Sequence, residues 1–587
     1  IKCGIMTKSK LGLTAARGTL LSIALRLASF ILSQATVRFV SAAALGKASV
    51  PLELLLGTAL FVSREGFRLA LTKESGKKSD ADAKDGRRTE QRMINVSWLS
   101  VPLGAIISMI AMYMHLSTCN HNIAIKSESE GVTKSEYELL DYKMAGVLYC
   151  FASFIESLSE PLVIRCLQQM DVTTKAKAEG VALVMKSVSC FGCLYILSSN
   201  WAVSAFGISQ LVYGITFTTI MYRHGRSIEG GIQWPKRVTE STTINPYKSK
   251  SGIRQSFTQS FDYQQLHLVL VFTLQGLFKH ALTEADKIVL SALAGSYDQG
   301  IYAIASSYGG LAARLLLQPI EENARLLFSR QGALMEQDKE SDSKSTTNAA
   351  TSKQLVEMQN TYSFLLRTVC LIGLLFATIA TNYTSILLRL LAGYRWGSNS
   401  KAISALSAFC VYTAFLSLNG ITEAFVYGVA RSGKDIGQLS IVHAVVGVIF
   451  ALIAPGLVAK FQHGLVAANC ICMALRSAYS LYFAWGYFAN GKRNSSSIRL
   501  MFRAVPHPLV VIAFAVSFAA TRASRDHFYD ETLEGQTWML ASLKHVGVGI
   551  VCACGTFAVT LRKEGDIRQA IKGMLQKVSH VALYVGI

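Results

Sequence analysis

Charge is scarce in this chain. Only 16% of its 587 residues are Asp, Glu, Lys or Arg, against roughly 25% in typical soluble proteins. Acid is scarcer than base, 37 against 58, which leaves a net charge of +21. Hydrophobic residues make up 51%, and the mean hydropathy is +0.34. So basic and so oily a chain is neither a disordered basic tail nor a typical nucleic-acid module, which sets Lys and Arg on a polar surface. Also missing are a Gly-rich loop ending Gly-Lys-Ser/Thr, a credible Ser/His/Asp arrangement and a metal-ligand constellation. No cofactor, metal or nucleic-acid partner is therefore expected, the chain does not read as an enzyme, and any transport is not powered by ATP bound to it. Most of the 12 cysteines, such as Cys150, Cys166, Cys370, Cys410 and Cys552, lie in apolar runs and read as small packed residues. Cys190-Phe-Gly-Cys193 has zinc-like spacing but no second pair at ligand distance. No short apolar core with a small-residue cleavage site follows Lys2, Lys8 and Lys10, so the first long apolar segment is expected to stay as a helix.

What is there is a succession of apolar segments. A spanning helix needs about 20 mostly apolar residues. Fourteen segments qualify: 18–44, 49–72, 93–117, 143–167, 179–199, 202–222, 264–294, 300–328, 362–380, 403–430, 438–458, 464–488, 506–521 and 544–561. The expected fold class is all-α, a polytopic membrane protein of about 14 transmembrane helices. With a cytoplasmic N-terminus, 35 Lys and Arg fall in the segments on that side and 8 in the opposite loops. That bias predicts cytoplasmic termini. The polar stretch 223–262 follows six spans and reads as a linker between two bundles, and 331–360 as a flexible loop. The organisation expected is a cytoplasmic N-terminus (1–17), a six-helix lobe (18–222), the linker (223–262), a second six-helix lobe (263–488), two extra helices (489–561) and a cytoplasmic tail (562–587). Leu45-Gly46-Lys-Ala48 and Gln299-Gly300-Ile-Tyr302 recur at similar places in the two halves, a faint sign of repeats in the same orientation.

The chemistry lies in ionisable residues inside these segments, which are costly in hydrocarbon and face a bundle interior or a water-filled cavity. Arg26, Arg38, Arg64 and Arg68 sit in the first two spans, where Arg outnumbers acid, and Arg314 sits in the eighth. Arg forks match phosphate oxygens in a bidentate way, so an uncompensated Arg cluster calls for a phosphate- or pyrophosphate-bearing lipid. Glu65, Glu156, Glu160, Glu284, Asp286, Glu321, Glu322 and Glu423 would organise those arginines or bind sugar hydroxyls. Gln318 and Asn419 would add hydrogen bonds. Glu321 and Arg325 are four apart, the spacing of a helical salt bridge. His443, alone on an apolar span, reads as a packed, hydrogen-bonded histidine rather than a proton relay. Gly46, Gly300 and Gly309-Gly310 would let helices approach closely. The sequon Asn382-Tyr-Thr384 lies too close to the membrane for modification.

The motifs then resemble a known family. Leu282-Thr-Glu284-Ala-Asp286-Lys287, Asp298-Gln-Gly300-Ile-Tyr302 and Leu311-Ala-Ala-Arg314 through Gln318-Pro-Ile-Glu321-Glu322 look like the signature of the Rft-type oligosaccharide-translocation proteins of the endoplasmic reticulum. Arg38-Phe-Val-Ser41, Ser63-Arg64-Glu65-Gly-Phe67-Arg68, Val101-Pro-Leu-Gly104, Glu156 to Pro161, Leu418-Asn419-Gly-Ile-Thr422-Glu423 and Ala468-Asn469-Cys470 extend the likeness over about residues 18–561. The resemblance implies membership of the multidrug/oligosaccharidyl-lipid/polysaccharide exporter superfamily, with two six-helix lobes enclosing a central cavity. It implies a multi-pass protein of the endoplasmic reticulum membrane. Its substrate would be dolichyl-pyrophosphate carrying five mannoses and two N-acetylglucosamines, flipped from the cytoplasmic to the lumenal leaflet for N-glycosylation. Its partners would be that dolichol-linked lipid and other proteins of the N-glycosylation pathway. Two rival readings are a non-transport scaffold or chaperone acting through loops 223–262 and 331–360, and an ion-coupled antiporter of the same superfamily. A membrane glycosyltransferase would need a soluble domain, and no loop is long enough to fold one.

Overall fold

The computed structural model describes residues 30–74, 83–126, 132–169, 171–197, 199–227, 231–236, 260–341, 347–430, 433–489, 505–529, 533–573 and 576. Their regular structure is helical, with no strand among them. That follows from the solvent: inside a bilayer every backbone N–H and C=O needs a partner, and a helix supplies them within one segment. Arg26 lies outside the described residues.

The chain divides into two compact units, residues 1–300 and 301–587. In the first, α1 (Ala42–Lys47) runs through a π turn at Ala48–Leu52, which holds Pro51, into α2 (Glu53–Glu74). Then come α3 (Ala83–Trp98), α4 (Ser100–Lys126), α5 (Val132–Leu158), α6 (Glu160–Gln168), α7 (Val172–Ile196), α8 (Ala202–Ser227), α9 (Tyr263–Thr283) and α10 (Ala285–Leu293). The unit boundary falls inside α11 (Ser296–Ala312). The second unit continues with a π turn at Ala313–Leu317, α12 (Gln318–Ser341), α13 (Thr347–Ala377), α14 (Thr384–Ala392), α15 (Ser400–Val429), α16 (Gly433–Lys460), α17 (Gly464–Phe488), α18 (Pro508–Phe528) and α19 (Gly535–Lys563). Side chains set several starts: Ser41 caps α1, Asp171 caps α7, Asp262 caps α9 and Asn399 caps α15, each accepting from a first-turn N–H.

Eleven helices among the described residues are long and apolar enough to cross a membrane, and the α5–α6 pair, bent by 43°, makes a twelfth if it is one span. The fourteen expected are thus not confirmed as a count. The first twelve positions of the first expected span, 18–29, lie outside the described residues, and what is described of it is not long enough to be counted. The eighth is helical but polar, carrying Arg314, Glu321, Glu322 and Arg325, and is not apolar enough to qualify.

Small residues bring the helices together. In the first unit, a Cβ on Gly66 of α2 would lie 2.0 Å from Thr273 Oγ1 of α9. Gly207 of α8 packs on Ala145 and Leu148 of α5, and Ser108 of α4 hydrogen-bonds Ser153 of α5 at 3.1 Å. Lipid tails are as apolar as Leu, so close backbone approach and interhelical hydrogen bonds carry the association. The second unit adds an aromatic core of Phe328, Tyr362, Phe425 and Phe488 at the junction of α12, α13, α15 and α17. The last two helices pair through Ser517 and Thr556, 2.8 Å apart.

Candidate functional site

The first unit holds two carboxylate–guanidinium pairs inside its apolar helices. Arg64 and Arg68 share one face of α2, one turn apart. Opposite stand Glu156 near the end of α5 and Glu160 at the start of α6. Arg68 forks onto Glu160: Nε donates to Oε1 and Nη2 donates to Oε2 at 2.7 Å. This pair is sequestered, with side-chain exposures of 16% and 2%. Arg64 reaches Glu156 only through Nη1, at 3.6 Å, and is 29% exposed. Glu156 also accepts from Gln210 Nε2 of α8 at 3.0 Å. The sequence counted Arg64 and Arg68 as uncompensated because their acids lie about 90 positions away; the structure corrects that, since α2 packs against α5 and α6.

The pairs differ in what they leave available. Arg68 spends its fork on one carboxylate, a geometry that orients it. Arg64 makes one long contact, so most of its five N–H donors stay open to another oxygen-rich group. Glu65, half-buried beside them, adds negative charge near Arg68 and makes no ion pair of its own among the described residues. Gln210 was not among the sequence candidates; a buried amide on an otherwise apolar helix was the signal that could have found it.

Other candidates fall elsewhere. In the first unit Lys287 bridges Glu284 at 3.0 Å and Glu53 at 3.6 Å. Asp286 sits in the first turn of α10, where helix N-terminal N–H groups favour an anion. Arg38 is exposed near the end of the helix over 30–39 and is engaged with a neighbouring group.

The second unit carries its own polar cluster. Glu423 of α15 accepts from Arg476 of α17, Nε at 2.8 Å and Nη2 at 3.0 Å. His443 of α16 lies 3.1 Å from the same Oε1, the hydrogen-bonded histidine that the sequence suggests. Asn419, one turn earlier on α15, is buried with its Oδ1 unpartnered. Glu321 of α12 lies against Gly420 between these two, where a Cβ would come within 3.0 Å of its Oε2. The expected Glu321–Arg325 salt bridge is absent among the described residues, because Glu321 turns toward α15. Gln318 Nε2 donates to Glu322 Oε1 at 2.9 Å on an exposed face. Arg314, on the π turn, is exposed and makes no ion pair or hydrogen bond among the described residues.

Buried acid–base pairs on facing spans suit a membrane site for an anionic head group: fixed carboxylates hold guanidinium forks in place while part of their donor set stays open. The comparisons with known proteins agree with a membrane carrier. A family profile described as "Rft protein" matches residues 15–574. The Man(5)GlcNAc(2)-PP-dolichol translocation protein RFT1 of Xenopus tropicalis is 26% identical, over 96% of each chain. The protein of that name from Yarrowia lipolytica is 30% identical over 83% of this chain and 72% of its own. In fold, the chain resembles the lipid II flippase MurJ in an inward closed conformation: TM-score 0.52, 13% identity, 93% of this chain and 99% of that one. It also resembles an inward-facing multidrug transporter of the MATE family: TM-score 0.50, 13% identity, 81% of this chain and 99% of that one.

Proposed function

The chain belongs to the Rft protein family, and on that premise we propose that it is a flippase of the endoplasmic reticulum membrane, moving dolichyl-pyrophosphate-linked Man5GlcNAc2 from the cytoplasmic to the lumenal leaflet. The observation that carries this reading is the match, over 96% of each chain in one case and 83% of this chain in another, to relatives named for translocating Man(5)GlcNAc(2)-PP-dolichol. The paired charges support it at the level of chemistry. A pyrophosphate carries several oxygens that a guanidinium fork meets in a bidentate way. Arg64 is the first residue to engage it, because its donors are least committed. Arg68 and Glu160 hold α2 in register against α6, and Glu156 with Gln210 fixes the direction of Arg64. Arg26, Arg38 and Arg314 remain candidates for the same head group. The cluster around Glu423, Asn419 and Glu321 offers hydrogen-bond acceptors to sugar hydroxyls. The transport body comprises the lobes 18–222 and 263–488 joined by the linker 223–262, with both termini cytoplasmic.

The test is reconstitution of the purified chain into vesicles with labelled lipid-linked oligosaccharide and a leaflet-specific readout. Wild type accelerates exchange between leaflets. Arg64→Ala, folded and inserted, slows it at least tenfold. Equal rates in empty vesicles and wild-type vesicles would remove the flippase reading and leave the scaffold role.

A further inference from the structure

The proposed substrate carries seven sugars beyond its pyrophosphate, and binding them calls for a surface unlike an arginine site. The first unit has a pocket of about 320 Å³ between α3, α6 and residues 231–236, away from the arginine pairs. This lies at the small end of the range for ligand pockets, about 300–1,000 Å³. Its walls include Glu90 and Trp98 of α3, Arg165 and Gln168 of α6, Gln169 just beyond, and Gln233.

The outer wall is built into place. Asn95 of α3 accepts from Lys236 N–H at 2.9 Å and donates to Lys236 O at 2.8 Å and Ser260 O at 2.9 Å. Trp98 Nε1 donates to Gln233 O at 2.9 Å, Gln91 Nε2 donates to Trp234 O at 3.2 Å, and Arg165 donates to Gly231 O. Trp234 stacks on Trp98 at 4.8 Å between centroids, yet remains 52% exposed. A segment of six residues is thus tied at both ends and in the middle, and it offers an aromatic face beside the pocket.

The lining decides the ligand class. One Arg is balanced by one Glu, so no excess positive charge is present to gather phosphate. The side-chain amides of Gln169 and Gln233 make no hydrogen bond among the described residues, and each offers both a donor and an acceptor. A sugar hydroxyl is likewise both donor and acceptor, and the apolar C–H face of a pyranose packs on an indole. We infer that this pocket is a carbohydrate subsite, taking a mannose or N-acetylglucosamine residue of the lipid-linked glycan. The subsite rests on the flippase reading for its ligand, and two of its lining residues, Glu90 and Gln233, belong to segments that the charge bias assigns to the cytoplasm, where the glycan waits before transfer.

The experiment uses the full chain in nanodiscs and the free Man5GlcNAc2 heptasaccharide, without pyrophosphate or lipid, followed by saturation-transfer NMR and titration calorimetry. Wild type binds the heptasaccharide and discriminates against maltoheptaose. Gln169→Ala and Gln233→Ala each raise the dissociation constant at least threefold, and Trp234→Ala raises it at least tenfold. Gln169 and Trp234 are exposed, so these variants keep their melting temperature, whereas Trp98→Ala is not relied upon. Inorganic pyrophosphate does not compete. Absence of heptasaccharide binding, variants that bind like wild type, or displacement by pyrophosphate would each overturn the subsite. The leaflet assay run on the same preparation separates the two readings. Transport without glycan binding removes only the subsite, and glycan binding without transport removes only the flippase.

Discussion

Arg68 shows at the residue scale why ion pairs within a membrane are paired so closely. A charge taken out of water is expensive, and the cost is recovered only with good geometry and a full complement of hydrogen bonds. Its fork on Glu160 provides both. Glu160→Gln leaves the guanidinium buried without its counter-charge, and removing one partner of such a pair costs about 3–5 kcal/mol. Thermal melting in detergent should therefore show a large loss for Glu160→Gln, and much of it restored in Arg68→Met/Glu160→Gln. An additive double variant would mean that the two residues do not form a pair in solution. Outside the spans, Asp171 caps α7 by accepting from Thr174 N–H at 3.1 Å and lies 3.3 Å from His224. Desolvation, the largest single effect, works against its charged form, but the Thr174 hydrogen bonds and the charges of His224 and Lys177 together outweigh it and hold the carboxyl below the usual range. A depressed folded value means that the stabilisation is present above the unfolded value, about pH 4, and is lost as pH falls through the folded value. Asp171→Ala should therefore destabilise by about 1 kcal/mol near neutral pH, with the difference from wild type shrinking below about pH 4 in a melting series. A difference that stays constant down to pH 2 would rule out the charge contribution. Asn382 makes a third point at this scale. It is 3% exposed and donates to Thr521 Oγ1 at 2.9 Å, so the sequon is spent on packing.

Elements in this chain meet through glycine, at Gly46 and Gly300 as the sequence suggests, but only the structure shows what each one meets. A Cβ on Gly300 of α11 would sit 1.8 Å from Ala42 O, and one on Gly46 of α1 would sit 2.0 Å from Ser296 O. Both obstacles are backbone atoms and cannot rotate away. The two glycines thus create one contact, α1 against the start of α11, at the positions where the sequence showed its faint repeat. Gly300→Ala and Gly46→Ala should each cost about 1–3 kcal/mol by overpacking, read as a lower melting temperature. By contrast Gly192→Ala, with open space around it, should be silent. If all three melted alike, the close approach would not exist. The α5–α6 bend is another element-level event: Pro161 occupies the first turn of α6, and the break brings Glu156 and Glu160 to bear on successive turns of α2.

On the scale of the whole molecule, the charge bias makes a statement no single helix can make. Counted with fourteen spans and a cytoplasmic N-terminus, thirty-five basic residues fall on one side and eight on the other, and that bias predicts an even number of spans between the termini. Epitope tags at both ends should therefore be reachable by protease in sealed microsomes, while a tag in 522–543 is protected. One protected terminus would mean an odd number of spans. The structure counts eleven or twelve candidate spans among its described residues, so this measurement, and not the helix census, decides the parity.

Composition and periodicity by themselves determined that this is an all-helical membrane protein. They determined it because a bilayer permits few backbone solutions, and runs of about 20 apolar residues announce one of them. The motifs also carried the family, since Glu284, Asp286, Arg314, Glu321 and Glu322 stand in short contiguous motifs that resemble its signature. Only the tertiary structure decided which charges meet. Glu423 finds Arg476 and His443 from two other helices, Glu160 finds Arg68 across 92 positions, and Glu321 leaves its neighbour Arg325 for the face of α15. Partners so distant in sequence are chosen by helix packing, and packing depends on where small residues let backbones approach, which no local pattern records.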